Sequence, residues 1–214
     1  MRLQLPSPGP RKEALVELAP LCPTGLEVGA DHGIISAHLL ASGTCARMIV
    51  SDISAASLDK ARRLFALHGL EADFRVADGL SGLDMPVDVA VIAGMGSQTA
   101  INILACGHGS LGGAALVLQV NTGLPDLRRW LMEHGYCIEA ERLVREGRRF
   151  YVGLRAVEGA ASYTEKELYL GPCLLVERPP LWEKYLTWRR GCLLRMHGGQ
   201  ENRLAWIEEE LKAI

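Results

Sequence analysis

Gly29 and Gly33 bracket the adjacent acid and imidazole Asp31 and His32 in the stretch Leu26-Glu27-Val28-Gly29-Ala30-Asp31-His32-Gly33. Similar groups recur down the chain. Asp52 follows the run MIVS (48–51), Asp78 and Gly79 follow ADFRV (72–76), and Gly94-Met95-Gly96 follows VDVAVIA (87–93). Gln119 closes AALVLQ, with Asn121 two residues on. A carboxylate beside a reacting atom can accept a proton or stabilise developing positive charge, and a histidine can orient or relay. Glycine lets backbone approach a ligand closely. The spacing also excludes a ligand class. A pyrophosphate cradle reads Gly-x-Gly-x-x-Gly at a helix N-terminus. Here the glycines are Gly29-x-x-x-Gly33 with a carboxylate between them, which repels pyrophosphate and argues against nicotinamide and flavin dinucleotides.

A phosphate-free cationic cofactor has the opposite requirement. S-adenosylmethionine (AdoMet) carries a sulfonium and an ammonium, so carboxylates near it are favourable. Asp52, 25 residues after Glu27 and followed by Ile53, is placed to accept both ribose hydroxyls. Asp78 is placed to face the adenine amino group.

These residues need a scaffold, and the first 120 residues supply one. Strand candidates at Leu26–Val28, Met48–Ser51, Ala72–Val76, Val87–Ala93 and Leu116–Gln119 alternate with helix candidates at Ile34–Ala41, Ser54–Leu67, Gln98–Ala105 and Pro125–His134. Such alternation predicts βαβ units, right-handed crossovers and a parallel sheet. Ligands of such sheets bind at the carboxyl ends of the strands, which is where the residues above fall. Ser54 fits a helix N-cap and Gly69 a left-handed C-terminus. Tyr136–Ile138 and Phe150–Leu154 flank a turn at 145–149 and predict an antiparallel pair finishing the sheet. Gly171-Pro172 and Pro179-Pro180 then punctuate a linker-like region. Leu181–Met196 reads as a helix, His197-Gly198-Gly199 as a turn and Glu201–Lys212 as a second helix. The predicted class is α/β, a Rossmann-like sheet over 1–158 with a small helical hairpin over 159–214.

Composition narrows the function classes. The 214 residues are 49% apolar and 22% charged, with net charge −2, the mix of a folded globular chain. The chain is not globally basic, so any nucleic-acid contact must be a local patch. No apolar run reaches the ~18–20 residues of a membrane span. The opening residues carry three prolines in ten and no apolar h-region, unlike a secretory signal. The six cysteines (22, 45, 106, 137, 173, 192) never form Cys-x-x-Cys, which predicts buried reduced thiols and no metal site. The densest basic cluster is Arg142, Arg145, Arg148 and Arg149; residues 128–155 hold seven arginines against four acids. With Phe150 and Tyr151 beside it, the turn suits phosphate contact and stacking. The segment 163–214 has eight basic and eight acidic residues and no evident electrostatic grip. Trp182, Tyr185 and Trp188 read as packing.

The stretches LEVGADHG, VSDIS, VADGL, IAGMGS, LQVN and GRRFY, in this order, resemble the bacterial tRNA (adenine-22 N1) methyltransferases over roughly residues 12–157. The resemblance implies a class I AdoMet-dependent enzyme that methylates N1 of a tRNA adenine, with a C-terminal coiled-coil-like domain that helps hold the tRNA. It implies that Glu27, Gly29, Asp31 and His32 form the first motif, that Asp52 holds the ribose, and that Asp78 and Gly79 flank the cofactor's adenine. Gly94, Met95 and Gly96 then line the transfer site, and Gln119 and Asn121 match the fifth-strand motif. N1 of adenine attacks the methyl in line, and the product base is cationic; Asp31 is the expected stabilising or proton-accepting group, with His32 orienting nearby. Gln119, Asn121, Arg145, Arg148, Arg149 and Tyr151 are the expected tRNA contacts. A cytoplasmic monomer is expected. The chain departs from the family pattern at Glu27 (an aspartate there), Ala30 (a serine), Ser97 (a glycine), Val120 (a proline) and in the opening PSPGPRK. Two other readings keep the fold: AdoMet-dependent methylation of another RNA or a small molecule, and a non-catalytic RNA-binding homologue.

Overall fold

The computed structural model describes residues 4–196 and 198–214. Its strands are β1 (Cys22–Val28), β2 (Cys45–Asp52), β3 (Asp73–Val76), β4 (Val89–Met95), β5 (Ala115–Val120), β6 (Tyr136–Glu146) and β7 (Arg149–Glu158). They form one sheet in the order β3-β2-β1-β4-β5-β7-β6. The first five run parallel, while β7 is antiparallel to both β5 and β6. The chain order reverses between β1 and β4, so the ligand crevice of such a sheet belongs there.

Side chains alternate across the sheet. Leu26, Val28, Ala90, Ile92, Leu116 and Leu118 bury one face against α4 (Ser97–Gly107) and α5 (Leu124–Glu133). Met48, Val50, Val89, Val91 and Val117 bury the other against α1 (Gly9–Leu18), α2 (Ile34–Ala41) and α3 (Ala55–His68). The ends of α3 follow from sequence. Ser54 accepts a hydrogen bond from the Ser57 N–H, and Gly69 at φ +64° closes the helix while the Leu70 N–H returns to the Phe65 carbonyl.

Two features go beyond the sequence reading. The opening segment forms α1, whose Ala14, Leu15 and Leu18 are buried at helical spacing and whose Pro10 sits in the first turn, where proline costs no hydrogen bond. This helix crosses β7 at Gly153, where a Cβ would press on Leu15 and Leu18 at 3.1 Å. The region read as a linker holds two short helices, α6 (Glu165–Leu170) and α7 (Pro172–Glu177), with Leu168, Leu170 and Leu174 buried. Thr164 and Glu167 form a reciprocal capping box that starts α6. The final helices are α8 (Trp182–Leu194) and α9 (Glu201–Lys212); His197 of the predicted turn lies outside the described residues.

The C-terminal helices share a core with the β6–β7 hairpin. Leu143 and Val152 from the hairpin join Leu170, Leu174, Trp182, Tyr185, Leu186 and Ile207. Phe150 packs on Tyr185 and Trp188 at ring-centroid distances of 5.8 and 5.5 Å. At the centre of the junction, Arg128 and Glu141 form a fully buried ion pair, with Arg128 Nη2 2.6 Å from Glu141 Oε1. Arg128 also donates to the carbonyls of Leu168 and Tyr169, while Glu141 Oε2 accepts from the N–H groups of Cys173 and Leu174. The thiols also depart from expectation: Cys22 and Cys45 are buried and Cys106 is exposed, with the other three intermediate.

Candidate active site

The loop after β1 is held from two sides. The N–H groups of Gly29 and Ala30 both donate to the Ser51 carbonyl of β2. Asp31, at φ +49° and thus in the left-handed region that aspartate tolerates better than most residues, donates its N–H to Asp52 Oδ2 at 3.0 Å. The Ser54 N–H donates to Asp52 Oδ1 at 2.8 Å. Asp52 therefore anchors the loop that carries Asp31, and each of its oxygens keeps accepting capacity for a hydroxyl. The Asp31 carboxylate is 58% exposed, 3.5 Å from His32 Nε2 and 3.9 Å from Lys60 Nζ.

Beneath this loop lies Glu27, buried at the end of β1. Its Oε2 accepts from both the N–H and the hydroxyl of Ser36 in α2. Burial pushes the Glu27 carboxyl up to about 7, with the Ser36 donors and the Lys12 charge pulling the other way.

Across the crevice, β4 ends in a bulge at Gly94, φ +81°, where its pairing with β5 shifts register. The bulge is braced by two amides. The Gly94 N–H donates to Gln119 Oε1 at 3.2 Å, and Asn121 Nδ2 donates to the Gly94 carbonyl at 2.7 Å. Gln119 Nε2 and Arg11 Nη1 both donate to Asn121 Oδ1, at 3.2 and 3.3 Å. The Arg11 guanidinium lies 5.1 Å from the centre of the Tyr151 ring. Met95 reaches back across the crevice, so that a Cβ on Gly29 would meet its Cε at 3.3 Å.

Between the two loops is a cleft of about 200 Å³ whose walls include Arg11, Lys12, Glu27, Gly29, Asp31, Gly94 and Gln119. The structure thus brings Glu27, Gly29, Asp31, Gly94 and Gln119 to one cavity and ties Asn121 and Tyr151 to it through Arg11. Met95 and Gly96 follow the bulge at its edge. His32 and Asp52 support the rim, and Ile53 beside them is 71% exposed. Asp78 and Gly79 lie elsewhere: Asp78 is exposed in the loop after β3, and Gly79 packs on Ile103 of α4 at φ +58°. Neither lines the cleft.

Arg11 and Lys12 are functional candidates that the sequence reading missed. Their signal is the apolar spacing of Ala14, Leu15 and Leu18 behind Pro10, which announces a helix. The basic cluster is also smaller than its sequence count. Arg128, Arg129, Arg142 and Arg155 pair with Glu141, Glu165, Glu177 and Glu139. Arg145 folds back over the Phe150 ring and donates to the Gly147 carbonyl. Arg148 and Arg149 remain exposed at the hairpin tip with no carboxylate partner among the described residues. Gly153 pairs with Gln119, so the tip projects beyond the carboxyl edge by about four residues, or ~13 Å, on the cleft's side.

Two departures from the family pattern have a structural account. Ser97 is buried against Gly123, where a Cβ would run into the serine hydroxyl, so a glycine at φ +72° receives it. Val120 is buried at the end of β5, opposite Met95.

Known proteins share this arrangement. The tRNA (adenine(22)-N(1))-methyltransferase family matches residues 25–196. A Mycoplasma pneumoniae protein described as a tRNA methyltransferase is 32% identical over 155 residues, covering 70% of this chain and 71% of its own. A Streptococcus pneumoniae structure described as a tRNA (m1A22) methyltransferase in complex with AdoMet is 28% identical, with a TM-score of 0.85 over 94% of this chain and 98% of its own. A Streptococcus agalactiae protein of the NADB-Rossmann superfamily, also 28% identical, has a TM-score of 0.81 over 99% of this chain and 96% of its own.

Proposed function

The chain belongs to the tRNA (adenine(22)-N(1))-methyltransferase family, and from that premise we propose that the cleft between β1 and β4 binds AdoMet and presents its methyl group beside Asp31. The protein is an AdoMet-dependent tRNA adenine-N1 methyltransferase; the assignment of roles to its residues is our reading. One observation carries it. A single cleft at the strand-order reversal offers both signs of charge, Glu27 and Asp31 against Arg11 and Lys12, with glycine backbone between them. That donor set fits AdoMet, whose amino-acid end is zwitterionic and whose sulfonium is cationic.

When bound, AdoMet supplies the electrophilic methyl group. Glu27 would hold the ammonium, and Arg11 and Lys12 would attract the carboxylate. Asp52 accepts ribose hydroxyls while fixing the backbone of Asp31. Gln119 and Asn121 hold the Gly94 bulge open, which sets the wall against which the target adenine is placed. Asp31 stabilises the positive charge on the methylated base and accepts its proton at N6. N1 lies on the pairing edge of adenine, so the base must leave any stack before it enters. Arg148 and Arg149 meet the tRNA backbone beside the cleft.

We take residues 1–158 as the catalytic body and 159–214 as a helical domain that holds tRNA. We also propose adenine 22 as the target, a monomer as the working form and the cytoplasm as the site of action. No helix among the described residues is long and apolar enough to cross a membrane. The test is calorimetric titration with AdoMet, followed by methyl transfer to a tRNA transcript mapped by digestion and mass spectrometry. A transcript lacking adenine 22 that is methylated as fast as the parent sinks the positional assignment.

Glu27 makes the site sensitive to pH. Its folded-state value of about 7 lies above that of an unfolded glutamate, so the folded chain keeps a proton that the unfolded chain has lost. Its contribution to stability is full below about pH 4.5 and is lost as pH rises to 7, on the order of 3 kcal/mol. AdoMet's ammonium favours the ionised form, so AdoMet affinity should rise between pH 6 and 7.5 with proton release on binding. Glu27→Gln should flatten that rise, and calorimetry in buffers of different ionisation enthalpy checks both. A pH-independent wild-type affinity contradicts the placement of Glu27 under the ammonium.

Arg11→Ala removes a charge-assisted contact to the cofactor and the donor to Asn121. AdoMet binding should weaken by roughly tenfold, with little change in Tm because the side chain lies at the cleft rim. An unchanged AdoMet Kd would remove Arg11 from the site.

A further inference from the structure

A second cavity lies between the catalytic body and the C-terminal helices. It has a volume of about 270 Å³, and its walls include Asp126 of α5, Tyr169 of α6, Trp188 and Arg189 of α8, and Arg203 of α9. Two cations converge on one ring here. The Arg189 guanidinium lies 4.3 Å from the Tyr169 ring centre and that of Arg203 5.0 Å. Arg189 Nε is sealed from solvent and has no hydrogen-bond partner. Neighbouring arginines are satisfied differently: Arg178 pairs with Glu210 and Arg190 with Glu208. Neither Arg189 nor Arg203 has a carboxylate partner among the described residues; Arg203 donates only to the Gln200 side chain. Asp126 is the acidic group in the walls.

Two like charges over one aromatic ring, both in the walls of one cavity and one with a buried orphan donor, form an arrangement that an anion completes. The other walls suit more than a bare anion. Trp188 offers an exposed part of its indole for stacking, and Asp126 is an acceptor suited to a base N–H. The cavity begins at Gly123, two residues after Asn121 and therefore within about 7 Å of chain from the amide that braces the Gly94 bulge.

We propose that this cavity binds one nucleotide of the tRNA other than the methylated adenine, with its phosphate on Arg189 and Arg203, its base on Trp188 and a base N–H on Asp126. The proposal rests on tRNA being the substrate. Occupying it anchors the RNA strand beside the cleft, so that a neighbouring part of the strand enters the transfer site. The methyl-transfer chemistry needs none of these residues.

The experiment compares the full-length wild type with Arg203→Ala, with Arg189→Gln/Arg203→Ala and with the control Arg190→Ala. The tRNA Kd should rise at least tenfold in the double variant and severalfold in Arg203→Ala, with a shallower salt dependence. AdoMet Kd and kcat at saturating tRNA should stay within twofold of wild type, and Arg190→Ala should bind tRNA as wild type does. Titration of 15N-labelled protein with adenosine monophosphate, and separately with inorganic phosphate, should move the Trp188 indole N–H resonance with the nucleotide only. A double variant with unchanged tRNA Kd overturns the proposal. If the double variant melts early, Arg203→Ala decides, since Arg203 is exposed. Equal shifts from phosphate and nucleotide also overturn it, because the base then plays no part. A wild-type protein that methylates no tRNA sinks the functional reading instead, and is recognised without any variant.

Discussion

Asp31→Asn is expected to lower kcat for methyl transfer to tRNA by 100-fold or more at saturating AdoMet, while the tRNA Kd and Tm stay near wild type. The substitution removes charge at the proposed transfer centre and little else. Asparagine accepts the left-handed backbone that Asp31 adopts at φ +49°, and its N–H still donates to Asp52. The side chain is exposed, so its neutral form leaves no buried donor or acceptor unpaired. Loss of a proton acceptor or electrostatic stabiliser in a transition state costs about 10²–10⁴ in rate. Asp31→Ala should show the same loss in kcat with an added stability cost of about 1 kcal/mol, because alanine resists a positive φ. His32→Ala should act weakly, since His32 reaches Asp31 only at 3.5 Å from a half-exposed position. Single-turnover methylation separates the chemical step from release. If Asp31→Asn turns over like the wild type, another group takes the proton.

Glu141→Gln should be the most destabilising conservative change in the chain. Both members of the Arg128–Glu141 pair are shielded completely. Neutralising the acid strands the guanidinium away from water. Removing one partner of a buried pair costs about 3–5 kcal/mol. In a chain of this size that corresponds to a Tm lower by roughly 10 °C. The effect should spread through the C-terminal helices, because Arg128 also holds the Leu168 and Tyr169 carbonyls and Glu141 holds the first N–H groups of α7. Calorimetric melting of wild type and variant measures it, and a Tm within 2 °C of wild type would show that the pair is not the fastening.

Local chemistry made much of this fold readable in the sequence. Ser54 and Gly69 mark the ends of α3 because capping depends on adjacent residues. The residues after β1, β2 and β4 were legible because glycines and acids follow β-type runs, and the parallel sheet sends those ends to one side. What failed depended on distant partners. The sequence reading assigns no element to the opening segment, with its Pro6, Pro8 and Pro10, because α1 is held in place by burial of Leu15 and Leu18 against β7. Gly171-Pro172 reads as a linker, whereas Glu141, three decades of residues earlier, supplies the acceptor that lets α7 begin there. The seven arginines of 128–155 suggest a basic face, yet four are paired with glutamates, one of them fully buried. Asp78 follows a strand as the other acids do and lies outside the walls of the cleft; that strand, β3, is at the sheet's edge beside β2, which carries Asp52, and we still propose Asp78 as the acid facing the cofactor's adenine.

The shared β6–β7 hairpin constrains the order in which this protein can be made. A ribosome that has released residues up to 158 has delivered every strand, so the sheet can assemble. At that moment Leu143, Phe150 and Val152 still face water, because the groups that cover them lie in residues 170–207. β6 is also the outermost strand, and an uncovered apolar edge invites pairing with another chain. Arg128 and Glu141 wait too, already paired but lacking the backbone groups of α6 and α7. The last quarter of synthesis therefore closes a face that the first three quarters leave adhesive, and a message cut short before α8 should yield a product that aggregates rather than a smaller working enzyme.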